Sequence, residues 1–494
     1  MGGLPLQRMR FSRAVLVGLF ALGTAGCGGE SAPSTAIDVI GATEDPFETG
    51  VRLSHAGQLV RAATAEGLVG LDEQGRVIPA LADRWIVTGD GLSYIFRLRD
   101  GSWPDGIEIS GETARQALRS ALAALAGTSL ALDLAPVEDV RAMAGRVVEV
   151  RLRRPVPDLL QLLAQPELGL LHKGAGSGPM ALRRDGAVAV LAPIPPARLG
   201  LPQPDDWRDT VRSLALTALP AREATDRFAA GKSDIVLGGR FESLPLAVGV
   251  AGLSRRALRL DPAPGLFGLA VATGRGWLAL PECREALAMA IDRDAIGSAL
   301  GADGWVATTL AVPVAVGGPG AERWTDRTLQ QRRTEGAARM ARCKLRSGDA
   351  GRLRLGLPAG PGSDALHERL VADFAAIGIA VDRVAPGAPT DLRLVDAVAR
   401  YPRSEWYLHQ LGCAMLRGPC SAVADARTAA ADSQADVGQA AQLRAEAAAL
   451  ITSANFFIPL GNPIRWSLAR ERTDGFAPNS TAFHPLPPLA RRGS

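Results

Sequence analysis

The chain has 494 residues, which is long enough for two or three domains and a large buried core. Hydrophobic residues make up 47% of it and charged residues 21%, as is usual for globular proteins. Because the first 26 residues hold three arginines and no acid, the formal charge of +4 becomes +1 without them, so the charge does not point to nucleic-acid binding.

The N-terminus has the pattern of a targeting segment. Three arginines precede an apolar run over residues 14–22, which is too short to span a bilayer. Small residues then lead into Cys27, and this order resembles a bacterial lipobox with cleavage before Cys27 and lipid on its sulfur. A plain secretory signal with an incidental cysteine is the alternative. We predict a lipoprotein signal peptide over 1–26 and a tether over 27–36.

Residues 63–114 alternate short strands with turns. Residues 68–79 predict a strand, a turn and a second strand, and Leu81–Trp85 predicts a short helical turn that buries both of its end residues. Asp90-Gly91 is a strong hairpin dipeptide between two alternating segments. Ser110 is placed to cap a following helix. Alone, these elements predict only a meander followed by a helix.

Further along the chain, helices and strands alternate. Residues 221–238 predict a helix, a glycine stop and a strand, which is half of a βαβ unit and indicates a partly parallel sheet. The glycine-rich segment Gly176–Met180 lacks the Lys-Ser/Thr of a phosphate loop, so we interpret it as a crossing between domains. The other predicted elements are strands at 147–152, 266–271, 353–357, 379–384 and 391–398 and helices at 281–296, 363–378 and 442–451.

Several short motifs occur in a specific order. They are Glu66-Gly67-Leu68, Pro79 to Trp85, Asp90 to Arg99, Trp103 to Gly106, Gly176 to Met180, Arg284 to Arg293 and Ile458-Pro459-Leu460. In this order they resemble the family 5 extracytoplasmic solute-binding proteins, the peptide and nickel binding components of ABC importers. The resemblance covers about residues 37 to 475.

The resemblance implies an α/β fold of the periplasmic-binding-protein type, with two α/β lobes of mixed sheets around a cleft and a smaller third domain. It assigns residues 69–175 to the small extra domain and 266–454 to the second lobe. The first lobe then takes three segments: 37–68, 176–265 and, with the C-terminal tail, 455–494.

A catalytic or metal site is hard to assemble from this sequence. His367-Glu368 lacks the second histidine of a zinc-protease helix, and no G-x-S-x-G motif is present. His409, Cys413 and Cys420 imitate a metal site, but one histidine is too few and oxidised cysteines do not bind metal. We therefore predict no enzyme, no metal, no cofactor and no nucleic-acid partner.

The cysteines after Cys27 suggest an oxidising compartment. Cys413 and Cys420 enclose a Gly-Pro turn that could bring them together, so we predict a disulfide between them. Cys283 lies at apolar spacing on a predicted helix, which favours a buried free thiol. The pairing of Cys283 and Cys343 stays open.

The resemblance places residues 396–408 at the cleft. Peptide-binding members carry Ala-Asp-Tyr there, with an aspartate that pairs with the peptide's ammonium group, whereas this chain has Ala399-Arg400-Tyr401. An arginine suits carboxylate or phosphate and would repel an amino terminus. We predict ligand contacts from Arg400, Tyr401, Trp406 and Tyr407. The alternatives are that Arg400 pairs internally, for example with Glu405, and that the two aromatics belong to the core.

Together these features predict a monomeric, lipid-anchored binding protein of the periplasm or cell surface. It would capture a peptide-like or anionic small solute and deliver it to an ABC permease and ATPase. The alternative is a degenerate homologue without transport cargo that serves as a sensor or assembly partner.

Overall fold

The computed structural model describes Met1 and residues 34–251, 256–348, 351–471 and 473–492. The predicted signal peptide beyond Met1, Cys27 and most of the tether lie outside these residues. Pro33–Ser494 forms one compact unit. Across the described ranges, no helix combines the length and the apolar character that a membrane crossing requires.

The first sheet has seven strands in mixed orientation. Thr35–Ile40 pairs in parallel with both Leu214–Leu219 and Ile235–Arg240, and helix Ala221–Ala229 connects those two strands. This arrangement confirms the partly parallel sheet predicted from residues 221–238. Across the sheet the strands are Met180–Asp185, Val188–Pro193, Leu214–Leu219, Thr35–Ile40, Ile235–Arg240, Arg465–Ala469 and Leu258–Leu260.

The second sheet has five strands, and Gly265–Val271 is buried at every position. In spatial order the strands are Ala380–Val384, Arg352–Gly356, Leu392–Val398, Gly265–Val271 and Phe457–Gly461. The sequence assigned residues 455–494 to the first lobe, whereas Phe457–Gly461 pairs with Gly265–Val271 in this second sheet. We therefore propose a lobe boundary at residues 462–464, and the other predicted boundaries stay predictions.

The third sheet is antiparallel and has four strands in the order Ala82–Val87, Ser93–Leu98, Val147–Leu152 and Val137–Ala142. The predicted helical turn at Leu81–Trp85 is wrong, because residues from Ala82 onward pair with Ser93–Leu98 across the Asp90-Gly91 turn. Ladder hydrogen bonds to the neighbouring strand outweigh the local helical pattern. Two hairpins add the strand pairs Val69–Leu71 with Val77–Pro79 and Leu171–His172 with Ala175–Gly176.

Helices cover the sheets. Ser110 caps Gly111–Ala124 as predicted, and Thr113 completes a reciprocal capping box. The other α-helices are His55–Thr64, Ser129–Asp133, Leu159–Leu163, Ala221–Ala229, Leu244–Ala251, Pro281–Ala290, Arg293–Leu300, Leu329–Ser347, Pro361–Ala375, Ser404–Leu411, Cys413–Leu416, Ala422–Ser433, Val437–Ala454 and Leu486–Leu489. Short 3₁₀ helices span Asp45–Phe47, Pro166–Leu168, Pro196–Leu199, Trp207–Thr210, Phe241–Ser243, Gly276–Ala279 and Val314–Val316.

Two apolar cores support this arrangement. One joins the seven-stranded sheet to the four-stranded sheet through residues such as Ile37 and Phe96, and the other surrounds the five-stranded sheet. The chain passes between the seven-stranded and five-stranded sheets at residues 261–264 and again at 462–464. Two short connections between the same two sheets are typical of a hinge between lobes.

Both pairs of described cysteines form disulfides. Cys413 and Cys420 are joined, as expected from their spacing, with their Cα atoms 5.2 Å apart. Cys283 is not the free thiol that its helical position favoured, because it is bonded to Cys343. The two residues lie on packed helices, Pro281–Ala290 and Leu329–Ser347, and this pairing of helices 60 residues apart was not visible in the sequence.

Candidate functional site

A cavity of about 360 Å³ lies where the seven-stranded and five-stranded sheets meet residues 129–167. These residues belong to the range 69–175 that was predicted as a small domain, and this range is called the small domain below. We call the cavity the cleft cavity. Its walls come from the ends of Ile235–Arg240 and Arg465–Ala469, the end of Leu392–Val398 and the helix Ser404–Leu411. The residues that matter below are His55, Glu167, Arg240, Arg400, Trp406, Gln410, Arg465, Trp466 and His484.

Two arginines of the seven-stranded sheet meet one aspartate of the five-stranded sheet beside this cavity. Arg240 Nη2 lies 2.9 Å and Arg465 Nη1 lies 2.8 Å from carboxylate oxygens of Asp396, whose side chain is 3% exposed. Burial disfavours the charge of Arg240, but Asp396 and Glu242 outweigh it and raise its pKa. This ion triad connects the two sheets on the hinge side of the cavity.

Arg400 lies at the cavity wall and is bound to the small domain. Its Nη1 donates to Ser129 Oγ at 3.0 Å and lies 3.4 Å from Asp133 Oδ2. The internal partner suggested by the sequence is therefore wrong, since Glu405 pairs instead with Arg444 at 3.2 Å. Asp133 is 267 residues away from Arg400, which is why local sequence did not reveal it.

Asp133 accepts three donors from one segment of the chain. In addition to Arg400, Tyr401 Oη donates to Asp133 Oδ1 at 3.0 Å, and His409 Nδ1 lies 3.0 Å from the same oxygen. His409 Nε2 lies 3.3 Å from Asp432, and Asp432 also pairs with Arg154 of the small domain at 3.2 Å. We call Asp133, Arg400, Tyr401, His409 and Asp432 the Asp133 cluster.

The Asp133 cluster shifts the titration of its members. Burial opposes the charge of His409, but hydrogen bonds to Asp133 and Asp432 are stronger and raise its pKa to about 9. Burial and the neighbouring carboxylate of Asp133 raise the pKa of Tyr401 well above its ordinary value. His409 is therefore a cation and Tyr401 a neutral donor near pH 7.

The cleft cavity differs from the Asp133 cluster because four of its lining residues hold buried polar atoms without hydrogen-bond partners. These atoms are His55 Nε2, Glu167 Oε2, Trp406 Nε1 and Gln410 Nε2. Burial, reinforced by the charges of His484, Arg465 and Arg240, lowers the pKa of His55 to about 3, so its ring is neutral. Buried polar atoms are normally paired, so such a concentration around one cavity indicates a ligand or ordered water.

The four predicted ligand residues have different positions. Arg400 and Trp406 line the cleft cavity. The hydroxyl of Tyr401 is taken by Asp133, and this residue instead borders a second cavity of about 550 Å³ between the small domain and residues 431–444. Tyr407 is fully buried with its ring edge-on to Trp406, and burial raises its pKa to about 12.

Sequence reasoning missed seven of the nine cavity residues named above. They come from distant parts of the chain, and none belongs to a recognised motif: His55, Glu167, Arg240, Gln410, Arg465, Trp466 and His484. Only Gln410 had a usable signal, because it follows Trp406 by one helical turn and therefore shares its face.

Metal coordination has no visible framework here. Within the described part of the chain, no group of three or more His, Cys, Asp and Glu is arranged to hold an ion. His409 has a carboxylate beside each ring nitrogen, and Cys413 and Cys420 are bonded to each other.

The fold and the cavity define a class of protein: two mixed α/β sheets joined by two short connections around a cleft, with an additional four-stranded antiparallel sheet. The solved structure of Haemophilus influenzae OppA in complex with RPPGFSPFR has this fold, with a TM-score of 0.78 and 16% identity over 94% of this chain and 99% of that one. The predicted periplasmic-binding-protein fold is thereby confirmed.

Curated relatives match parts of the chain. The probable deoxycholate-binding periplasmic protein YgiS of Escherichia coli is 34% identical over 125 residues, and the glutathione-binding protein GsiB of the same species is 28% identical over 203 residues. The matches cover 21% and 39% of this chain, so the chain spans only 23% of the length of YgiS and 37% of the length of GsiB. No family model matches the chain. The similarities confirm the resemblance to family 5 extracytoplasmic solute-binding proteins.

Proposed function

We propose that this protein is the substrate-binding component of an ABC importer and holds a small solute with an anionic group in the cleft cavity. The observation that carries the proposal is the set of unpartnered polar atoms around a cavity at the hinge, beside Arg400. Two lobes that close on a solute need such a site. A permease and an ATPase would be its partners, and the protein itself would catalyse no reaction.

The anionic preference follows from the charges at the cavity. Arg240, Arg400 and Arg465 line the cavity, whereas the acids among its lining residues are Glu167 and Asp261. Arg400 shares Asp133 with His409, which also contacts Asp432, and Arg240 and Arg465 share Asp396. The names of two relatives agree with this preference, since deoxycholate and glutathione both carry carboxylates.

The location completes the proposal. Relatives that match the chain are periplasmic binding proteins. We propose that this protein acts as a monomer outside the cytoplasmic membrane and is anchored by lipid on Cys27. Mass spectrometry of the first residue of the mature protein checks the anchor, and an unmodified N-terminus at another residue would exclude it.

A homologue without cargo is the second candidate, because Asp133 already binds Arg400 inside the protein. A thermal-shift screen of anionic, cationic and neutral solutes, including glutathione and deoxycholate, separates the two. We expect anionic solutes to raise the melting temperature of the wild type and to have no effect on Arg400→Ala. Control variant Arg183→Ala changes an exposed arginine and should respond like the wild type. Failure of every solute to bind would favour the homologue without cargo, and undiminished binding in Arg400→Ala would exclude the role of Arg400.

A further inference from the structure

Polar contacts join the small domain to residues 400–432, a segment that follows the strand Leu392–Val398 of the five-stranded sheet. The two sides are distant in the sequence, so these contacts form only when the chain is folded. Some of them involve Asp133, and the others lie beside it. We call the whole set the interdomain contacts: Arg400 with Ser129 and Asp133, Tyr401 and His409 with Asp133, Arg403 with Asp158, and Asp432 with Arg154.

The interdomain contacts are buried at their centre and partly exposed at their rim. The side chain of Asp133 is fully buried and that of His409 is 12% exposed, whereas those of Arg154 and Arg403 are 30% and 47% exposed. Water and salt screen an ion pair much less in a buried site than at the surface. The bonds of Asp133 therefore provide most of the strength of this contact, and the two outer ion pairs add little.

One apolar core runs across the same contact. Leu130 and Leu134 of the small domain belong to it, as do Trp406 and Leu411 of the helix Ser404–Leu411, and each of these side chains is at most 5% exposed. Ala270 of the five-stranded sheet is part of this core as well. Separation of the small domain from residues 400–432 would therefore expose apolar surface to water, in addition to breaking the buried bonds of Asp133.

Both partners of every interdomain contact belong to the chain itself. Two connections, at residues 261–264 and 462–464, join the seven-stranded and five-stranded sheets, and connections of this kind allow the two sides of a cleft to separate. A solute closes a cleft only by the free energy with which it favours the closed arrangement. Here side chains of the protein already favour that arrangement, so the two sides can stay joined without a solute.

We infer that the small domain and residues 400–432 remain joined when no solute is bound, so that the unliganded protein is already closed on this side of the cleft cavity. The inference goes beyond the proposed function, because a homologue without cargo would have the same interdomain contacts. It separates this chain from a binding protein whose cleft opens when the solute leaves.

Electron paramagnetic resonance can measure the distance between two spin labels placed across the contact. Suitable positions are Met143→Cys in the small domain and Val423→Cys in the helix Ala422–Ser433, because the native side chains are 51% and 61% exposed and belong to none of the interdomain contacts. Proteins with only one of the two new cysteines control for labelling of other thiols.

Three further changes are compared in this doubly labelled protein. Asp133→Asn keeps the shape of the side chain but loses the charge that holds Arg400 and His409. His409→Gln removes only the imidazole from the same contact. The control Arg151→Gln changes a small-domain arginine that is 47% exposed and pairs with Glu138, away from residues 400–432. Each protein is measured alone, with glutathione and with deoxycholate.

We expect the wild type and Arg151→Gln to give one narrow distribution of distances that moves by less than about 2 Å when either compound is added. Without a solute, Asp133→Asn should add a second population at longer distances, and His409→Gln should add a smaller one. If Asp133→Asn does not fold, His409→Gln and the wild type provide the comparison.

Two results would overturn the inference. If the distances in the unliganded wild type are broadly distributed and shorten when glutathione or deoxycholate is added, the cleft opens without a solute, and the proposed function gains support. If both variants keep the wild-type distribution, the interdomain contacts are not what joins the two sides. Failure of both compounds to bind would count against the proposed function alone, because the variants are compared without a solute.

Discussion

The Asp133 cluster and the cleft cavity are neighbouring polar regions that share Arg400, yet their polar atoms are satisfied differently. Asp133 receives three donors, and His409 is bound by a carboxylate at each ring nitrogen. Around the cleft cavity, four residues keep a buried polar atom without a partner. In the second cavity, Asp432 and Arg444 also have an unbonded atom, but each is held in an ion pair at 3.2 Å.

This difference separates a structural role from a functional one. A buried network whose members are all held by hydrogen bonds or ion pairs fixes one arrangement of the chain, here the contact between the small domain and residues 400–432. Unpartnered buried atoms cost stability and persist where a ligand repays that cost. The cluster should therefore dominate the stability of the unliganded protein, and the cavity should dominate binding. The predictions that follow test this division.

The largest effect is expected from Asp133→Ala. This change leaves the partly buried His409 and Arg400 without their shared, fully buried carboxylate, and removal of one partner from a buried ion pair typically costs about 3–5 kcal/mol. Urea denaturation of the wild type and of Asp133→Ala measures the loss of unfolding free energy. Asp185→Ala, which removes an exposed aspartate, should change it by less than about 0.5 kcal/mol. Equal stability of the two variants would show that the cluster has no structural role.

A smaller effect should appear as a pH dependence. His409 has a pKa of about 9 in the folded protein and an ordinary value of 6.5, so its stabilisation is complete below pH 6.5 and is lost as pH rises through 9. The loss is on the order of 3 kcal/mol. We expect His409→Gln to remove this part of the dependence when unfolding free energies are compared at pH 6.5 and 9.5.

His55 in the cavity provides the opposite case. Its pKa of about 3 lies below the ordinary value, so its neutral form stabilises the fold above pH 6.5 and this contribution falls as pH decreases towards 3. His55→Gln should therefore alter the acid side of the profile and leave the alkaline side unchanged. If stability is still lost at alkaline pH in His409→Gln, that loss does not come from His409 of the Asp133 cluster.

Much of the fold could be predicted because its signals are local. Nearby residues determine the Asp90-Gly91 hairpin, the Ser110 cap and the helix and strand of residues 221–238. The order of the short sequence motifs along the chain then identifies the fold. Cys413 and Cys420 are seven residues apart, so a turn was enough to suggest their disulfide. The strand Ala82–Val87 was missed because its ladder partner, rather than its own pattern, determines its conformation.

The site could be predicted only within one continuous segment. The predicted ligand residues all lie in the stretch 396–408, and of these Arg400 and Trp406 line the cavity. Asp133, Glu167 and His55 come from other elements, and their approach to Arg400 and Trp406 depends on the packing of the sheets and the small domain. Opposite-sign side chains occur throughout the chain, so charge alone could not select Asp133 over Glu405 as the partner of Arg400.

The smallest effect should distinguish two tryptophans that line the same cavity and are each 1% exposed. Trp466 Nε1 donates to the carbonyl of Arg240 at 2.9 Å, whereas Trp406 Nε1 has no partner. Replacement by phenylalanine removes a similar volume at both positions. Only Trp466→Phe also breaks a hydrogen bond, although the carbonyl of Arg240 keeps the hydroxyl of Ser243 as a donor at 3.2 Å. It should therefore destabilise the unliganded protein by about 1 kcal/mol more than Trp406→Phe.

Ligand should shift this balance. If Trp406 Nε1 donates to the bound solute, Trp406→Phe weakens binding of an anionic solute while having the smaller effect on unfolding free energy without ligand. Denaturation with and without that solute measures both quantities on the same two variants. Equal losses of stability for both variants without ligand would mean that both indole groups are already bonded. The cavity would then resemble the Asp133 cluster, and the division between a structural and a binding region would not hold.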